Sequence, residues 1–280
     1  MIEQNRRELL AHFLAGSLDG SCIFEKTQQT LRTEFGNIVH KYQLGTSEKF
    51  RELLKSCHAV ISGSQALVPF SYFFFGDLDL YAPLSSQDEL HRYLEGKNFF
   101  RSSPSSNLYR RSPSIVTVHR YHRDGFEYHI DVVYSSNSST LAPIAEFFST
   151  VPMNFIAHHG VVSLYPALTL AGRGLINDSS TNSQESITKY TQRGFSFGHS
   201  LKEWDTYQYH SCMEDPSCAF TFRLLYDSGV LHIPFDEVSR ALHRHQVSFT
   251  WRLNTYQHCI SSPRDLVAPG FTISYKAEFG

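Results

Sequence analysis

The stretch ISGSQALVPFSYFFFGDLDLY, Ile61 to Tyr81, decides how this chain is read. It sets Asp77 and Asp79 one residue apart at the end of an apolar, aromatic run, 14 residues after the Gly63-Ser64 pair. In a strand alternate side chains share a face, so the two carboxylates stand on one side and Leu78 and Leu80 on the other. The leucines can enter a core while the carboxylates converge on solvent. Like charges held that close resist ionisation unless a cation lies between them, and a hard divalent ion such as Mg²⁺, which prefers oxygen ligands, meets that need.

Upstream, His58 to Ser62 is a short β-branched run that stops at Gly63, and SQALVPFSYFF then opens a helix with Ser64 as its cap and Pro69 as its limit. A glycine between strand and helix permits close backbone approach, and the N–H groups at the helix start, with Ser64 Oγ, suit a phosphate. If the two strands are neighbours, phosphates at Gly63 and Ser64 meet a metal at Asp77 and Asp79, as a nucleoside triphosphate with Mg²⁺ requires. A third carboxylate, Asp131, falls within the strand FEYHIDVVYS, where Asp is depleted and needs a reason. Beside the DLD strand it completes a three-carboxylate site for two metals, one gripping the triphosphate and one lowering the pKa of an attacking hydroxyl. It is equally placed to accept that hydroxyl's proton.

Gly-Ser, twelve intervening residues, DLDLY and a later HIDVV resemble the nucleotidyltransferase fold of the DNA polymerase beta type. The resemblance implies an α+β core with a small mixed sheet and flanking helices, two catalytic metals (Mg²⁺ or Mn²⁺), and transfer of a nucleoside monophosphate from an NTP. By that match Gly63 and Ser64 contact the triphosphate, Asp77 and Asp79 hold the metals, and Asp131 is third ligand and base. SGSQAL with GDLDLYAP, STVPMNFIAHHGVVSLYPALTLAGRGLIN and CMEDPSCAFTFRLLYDSG further resemble a group of fungal proteins with this core. One departure matters: many active members follow Gly-Ser with Arg or Lys and a second Gly, whereas Gln65 and VPFSYFFF stand here. Lys189 or Arg193, further along, are the candidates to supply the missing charge.

The rest of the chain is read around this core. Helical spacing in RRELLAHFL and SEKFRELLKSC predicts an N-terminal helical segment over 1–55, followed by a nucleotidyltransferase-like core over 56–150 and a C-terminal α+β extension over 151–280 packed on it. SSQDELHRYLEG reads as a Ser-capped helix, and Ser114–His122 with Phe126–Ser135 as a hairpin about Asp124-Gly125. LAPIAEFF and FDEVSRALHRHQ read as helices, MNFIAHHGVVSLYP as a hairpin, NDSSTNSQES as a polar loop before a helix carrying Lys189, Tyr190 and Arg193, and TFRLLYDSGVLHIPF as strands about Asp227-Ser228-Gly229.

A net charge of -2 from 25 basic and 27 acidic residues, with no long block of either sign, argues against long nucleic acid and for a small-molecule, nucleotide or protein acceptor. The charged N-terminus and the lack of a long apolar run lead us to expect a soluble chain without membrane contact, cytoplasmic or nuclear. Five scattered cysteines suggest reduced thiols. Several features have plainer readings. The set His210, Cys212, Cys218 with His243 or His245 has a five-residue gap between its cysteines, unlike a zinc motif, so half-buried thiols are expected. His158-His159 reads as a solvent-facing hairpin tip, Phe73 to Phe75 as core, and Lys189, Tyr190 and Arg193 as a solvated basic face. The alternative to an enzyme is a catalytically inactive nucleotide-binding or protein-interaction module with the same fold.

Overall fold

The computed structural model describes residues 21–70, 76–102, 112–136, 139–177, 181–236, 248–253 and 275–276. The expected helices in RRELLAHFL and FDEVSRALHRHQ, the Phe73–Phe75 run, His243 and His245 lie outside them. Two helices lead in, α1 (Ser21–Lys41) and α2 (Ser47–Ser56). Thr46 caps α2 by accepting a hydrogen bond from the Lys49 N–H at 3.3 Å, and Phe50, Leu53 and Leu54 form its buried face. Then follow β1 (Val60–Ser62), a 3-10 turn (Gln65–Phe70), β2 (Leu78–Pro83), α3 (Gln87–Glu95), β3 (Phe100–Arg101), β4 (Ile115–His122) and β5 (Ile130–Ser135). A second half adds α4 (Ala142–Ala145), β6 (Asn154–Ala157), β7 (Gly160–Ser163), α5 (Pro166–Leu170), β8 (Arg173–Leu175), α6 (Thr181–Thr191) and β9 (Ser196–Gly198). It closes with β10 (Arg223–Leu224), β11 (Leu231–Pro234), β12 (Ser248–Trp251) and β13 (Tyr275–Lys276).

This is a mixed α+β fold built on an eight-stranded sheet in the order β11-β7-β6-β1-β2-β5-β4-β3. The β2–β5 ladder is parallel and its neighbours are antiparallel. Strands from both sides of residue 150 share the sheet, because β1 pairs with β6 through Ile61 and Ile156. One face, with Leu78, Leu80, Ile130 and Val132, packs on α1, α2 and α3 through Leu31, Phe35, Phe50, Leu54, Leu90 and Leu94. The other, with Tyr81, Val133, Phe155 and Val162, packs on residues such as Ile144, Leu168, Leu201 and Trp251. Asp79 and Asp131 belong to this second face, since they alternate with the buried leucine, isoleucine and valine positions of β2 and β5.

Four expectations change in detail. The segment after Ser64 is a six-residue 3-10 turn rather than an α-helix, so it has no length over which a helix dipole could build. Ser86 does not cap α3 with its side chain; its hydroxyl donates instead to the Cys57 carbonyl at 2.8 Å, tying the end of α2 to the start of α3. The polar tract NDSSTNSQES is partly helical, because α6 starts at Thr181, and Arg193 falls just past the end of that helix. His158 and His159 do form the turn between β6 and β7, yet both are half-buried, and burial beside Lys55, Arg51 and His58 pushes the His158 ring down to about 4. No described helix is long and apolar enough to cross a membrane.

Candidate active site

Strand pairing carries the three carboxylates to one place. Ser62 of β1 stands opposite Asp79 of β2, and Asp79 is in register with Asp131 of β5. Asp77, just before β2, projects on the same face as Asp79. Gly63 begins the turn out of β1 at φ +65, and a Cβ there would collide with Asp79 Oδ2. A left-handed backbone and a carboxylate lying against it both require glycine, so Gly63 lets Asp79 fold under the Ser64 turn.

Gln65 replaces the expected cation and does something different. It is buried, and its Nε2 donates to the Tyr42 hydroxyl at 2.6 Å and to the Asp77 carbonyl at 3.2 Å. Tyr42, at the end of α1, donates in turn to the Gly76 carbonyl at 2.6 Å. This chain of hydrogen bonds fixes the Ser64 turn against the entry to the DLD strand. Basic side chains approach the Ser64 turn from the other side. Tyr190 is buried and shares a 3.1 Å hydrogen bond with Ser64 Oγ, the Arg193 guanidinium lies 5.2 Å over the Tyr190 ring, and Arg193 Nη1 reaches Ser64 Oγ at 3.4 Å. Lys189 acts electrostatically on both Asp79 and Asp77. The 3-10 turn meets α6 in a small apolar cluster of Leu67, Val151, Tyr190 and Phe195.

Two further residues, Arg120 and His129, grip the acids. Arg120 of β4 pairs across the ladder with Asp131 and closes a fork on it, Nε to Oδ1 and Nη2 to Oδ2, both at 2.8 Å. His129 bridges the other two strand ends: its backbone N–H donates to Asp77 Oδ1 at 3.3 Å, its Nδ1 lies 2.8 Å from that atom, and its Nε2 lies 3.6 Å from Asp131 Oδ2. His129 was visible two residues before Asp131 in HIDVV. Arg120 was hidden by register. The Arg123–Phe126 turn forms, with Gly125 at φ +70, but pairing resumes only at Ile130, two residues out of the register that a tight Asp-Gly hairpin sets.

Asp79 has neither a fork nor a bridging histidine. Burial, with Asp131 and Asp77 close by, pushes its carboxyl up to about 7, while Lys189 and Arg120 hold it down in part. It retains some contact with solvent, so it lies at the edge of the core rather than inside it. The ligand oxygens of Asp77, Asp79 and Asp131 do not all come within 4.8 Å of one another; among the described residues the one such group of His, Cys and acidic donors is His210, Cys212 and Cys218.

No protein-family model matches this sequence. Nor does any curated protein. Among solved structures, the apo form I of a CCA-adding enzyme is similar at a TM-score of 0.42 and 7% sequence identity, over 63% of this chain and 45% of that one. The chain therefore spans under half of that enzyme's length. The likeness is remote, and the reading of the site rests on its own geometry.

Proposed function

We propose that this acidic site binds a nucleoside triphosphate and transfers its nucleoside monophosphate to an acceptor hydroxyl, with pyrophosphate leaving. The observation that carries the reading is the in-register row of Ser62, Asp79 and Asp131 on three adjacent strands, with the Gly63-Ser64 turn beside it. Ser64, Lys189 and Arg193 would receive the triphosphate. Its negative charge replaces the carboxylate influence that Lys189 now feels.

The acids suit a divalent cation, because burial and the neighbouring Asp131 and Asp77 make Asp79 resist ionisation, which a cation would offset, and Asp77 is 45% exposed at the side chain. Asp77 and Asp79 would hold Mg²⁺ or Mn²⁺, with Asp131 adjacent. When bound, the metal supplies charge neutralisation on the phosphates and acidifies the acceptor hydroxyl. The acceptor oxygen forms its bond to the α-phosphorus as the bond to pyrophosphate breaks, and its proton passes to Asp131, which the Arg120 fork holds in one orientation. The balanced surface charge favours a small-molecule, nucleotide or protein acceptor over long nucleic acid.

A second reading is a silent nucleotide-binding or interaction module. What favours it is that Asp131 already receives both prongs of Arg120 and Asp77 already faces His129. Thermal unfolding with each of ATP, GTP, CTP and UTP, with and without Mg²⁺ or Mn²⁺, beside pyrophosphate release, separates the two. Ligand at about 100 times its Kd stabilises by about 2.7 kcal/mol. A metal-dependent rise with turnover, both lost in Asp77→Asn and Asp79→Asn, supports the enzyme. A rise without turnover supports a nucleotide-binding module, and no rise with any nucleotide in folded protein overturns the enzyme and leaves the interaction module.

A further inference from the structure

We propose that His210, Cys212 and Cys218 form a thiolate and imidazole site for zinc, separate from the acidic site and independent of its reading. One ring nitrogen of His210 and the two Sγ atoms all lie within 4.8 Å of one another. Cys212 Sγ and Cys218 Sγ are 3.8 Å apart. Two sulfurs bound tetrahedrally at about 2.3 Å from one Zn²⁺ must themselves stand about 3.8 Å apart. The cysteines are thus already spaced as one edge of such a tetrahedron, with His210 beside them.

The histidine is prepared for the role. Its Nδ1 lies 2.7 Å from the Tyr207 carbonyl, which only accepts, so Nδ1 carries the hydrogen and Nε2 presents a lone pair. That Nε2 is buried and has no hydrogen-bond partner. A buried acceptor left unsatisfied is costly, and a metal ion would satisfy it, with the Tyr207 carbonyl orienting the ring as outer partners of metal-bound histidines do.

The loop that brings the cysteines together is rigidly built, which explains how a five-residue gap closes onto one point. Asp215 N–H donates to the Ser211 carbonyl at 2.8 Å, Cys218 N–H donates to the Asp215 carbonyl at 2.9 Å, and Asp215 Oδ1 accepts from the Ser217 N–H at 2.8 Å. Beneath it the buried Arg223 donates to the Pro216 carbonyl, forks on Asp227 with two 2.7 Å bonds, and lies 5.0 Å over Tyr165 and 5.3 Å over Trp251. Two thiolates and an imidazole select a soft or borderline metal over Mg²⁺ or Ca²⁺, and three protein ligands leave one tetrahedral position for a further donor.

The test uses the full, tag-free chain purified under reducing conditions without chelator. Elemental analysis should find about one zinc per chain, and Co²⁺ exchanged into the site should show thiolate-to-cobalt charge transfer with the visible bands of a tetrahedral ion. Cys212→Ser and Cys218→Ser should each lose these signals. Loss of a ligand should weaken retention by more than the ~10- to 100-fold that loss of an outer partner costs. Cys57→Ser, which touches a buried thiol of another element, should keep them. Folded wild-type protein that retains no zinc and gives no thiolate–cobalt band overturns the site, and so does a Cys212–Cys218 disulfide found by mass after that purification. Because both outcomes are read on the wild type, a variant that fails to fold does not shelter the proposal.

Discussion

Arg120 and Asp131 face each other across the β4–β5 ladder and are joined by two parallel hydrogen bonds, each 2.8 Å long. The Asp131 side chain is 6% exposed, so removing its partner strands a buried carboxylate beside Asp79, with His129 Nε2 3.6 Å away. Arg120→Ala should destabilise the protein by about 2–3 kcal/mol, whereas Arg120→Lys, which keeps charge without the planar fork, should recover part of that. Urea unfolding of the three proteins decides; an alanine variant as stable as wild type would show that the fork does not hold this ladder.

Asp79 makes stability fall with rising pH. Its folded carboxyl is raised from 3.8 to about 7, so the folded state holds the proton where the unfolded chain has released it. The stability linked to this group is complete below about pH 4 and lost as pH climbs through about 7. Allowing for residual solvent contact, the loss should be on the order of 1–2 kcal/mol. Asp79→Asn should flatten this slope, and equal slopes in the two proteins from pH 5 to pH 8 would contradict the assignment.

His158 works in the opposite direction. Its folded value near 4 lies below the ordinary 6.5, so the unfolded state binds a proton first as pH falls. Stability present above about pH 6.5 should drain away between pH 6.5 and 4, by about 1 kcal/mol after discounting for its partial exposure. His158→Gln should abolish that acid loss; an unchanged acid limb of the stability curve would place the titration elsewhere.

Gly63→Ala tests the turn over Asp79. A left-handed backbone costs a non-glycine residue about 1–2 kcal/mol, and the new methyl must also displace the Asp79 carboxylate. The variant should unfold at lower temperature and lose any nucleotide-dependent stabilisation, while Gly125→Ala, also at positive φ but with open space around its Cβ position, should lose stability alone.

Arg193→Ala and Lys189→Ala should leave the fold intact and reduce nucleotide-dependent stabilisation several-fold, since both residues lie outside the sheet. Tyr190→Phe, which removes only the hydroxyl bonded to Ser64, should cost about 1 kcal/mol of stability. Unaltered nucleotide response in both cation variants would remove the α6 side from the proposed phosphate site.

Alternation made the acidic face legible: Leu78 and Leu80 had to be buried, so Asp77 and Asp79 had to share the other side. That Asp131 joins them depended on strand order, which a mid-strand aspartate only suggested. Arg120 escaped because a hairpin register read from Asp-Gly misplaces it by two residues. Gln65 read as a lost cation because its bonds to Tyr42 and Asp77 join parts of the chain that sequence cannot bring together. The approach of Cys212 to Cys218 was hidden for a related reason, since the Asp215 turn shortens the path between them.

The two sides of the acidic site differ in how firmly they are anchored. β1, β2 and β5 are interior strands of the eight-stranded sheet, whereas α6 meets the Ser64 turn through a cluster of only a few apolar side chains. Local opening free energies follow such differences. Amide hydrogens of Leu80 and Val132 should therefore exchange with deuterium only through global unfolding, while those around Tyr190 exchange through a smaller, separate opening. The carboxylate floor would then keep its shape while the cationic wall swings, so that entry and departure of a ligand need not disturb the strands that hold the acids.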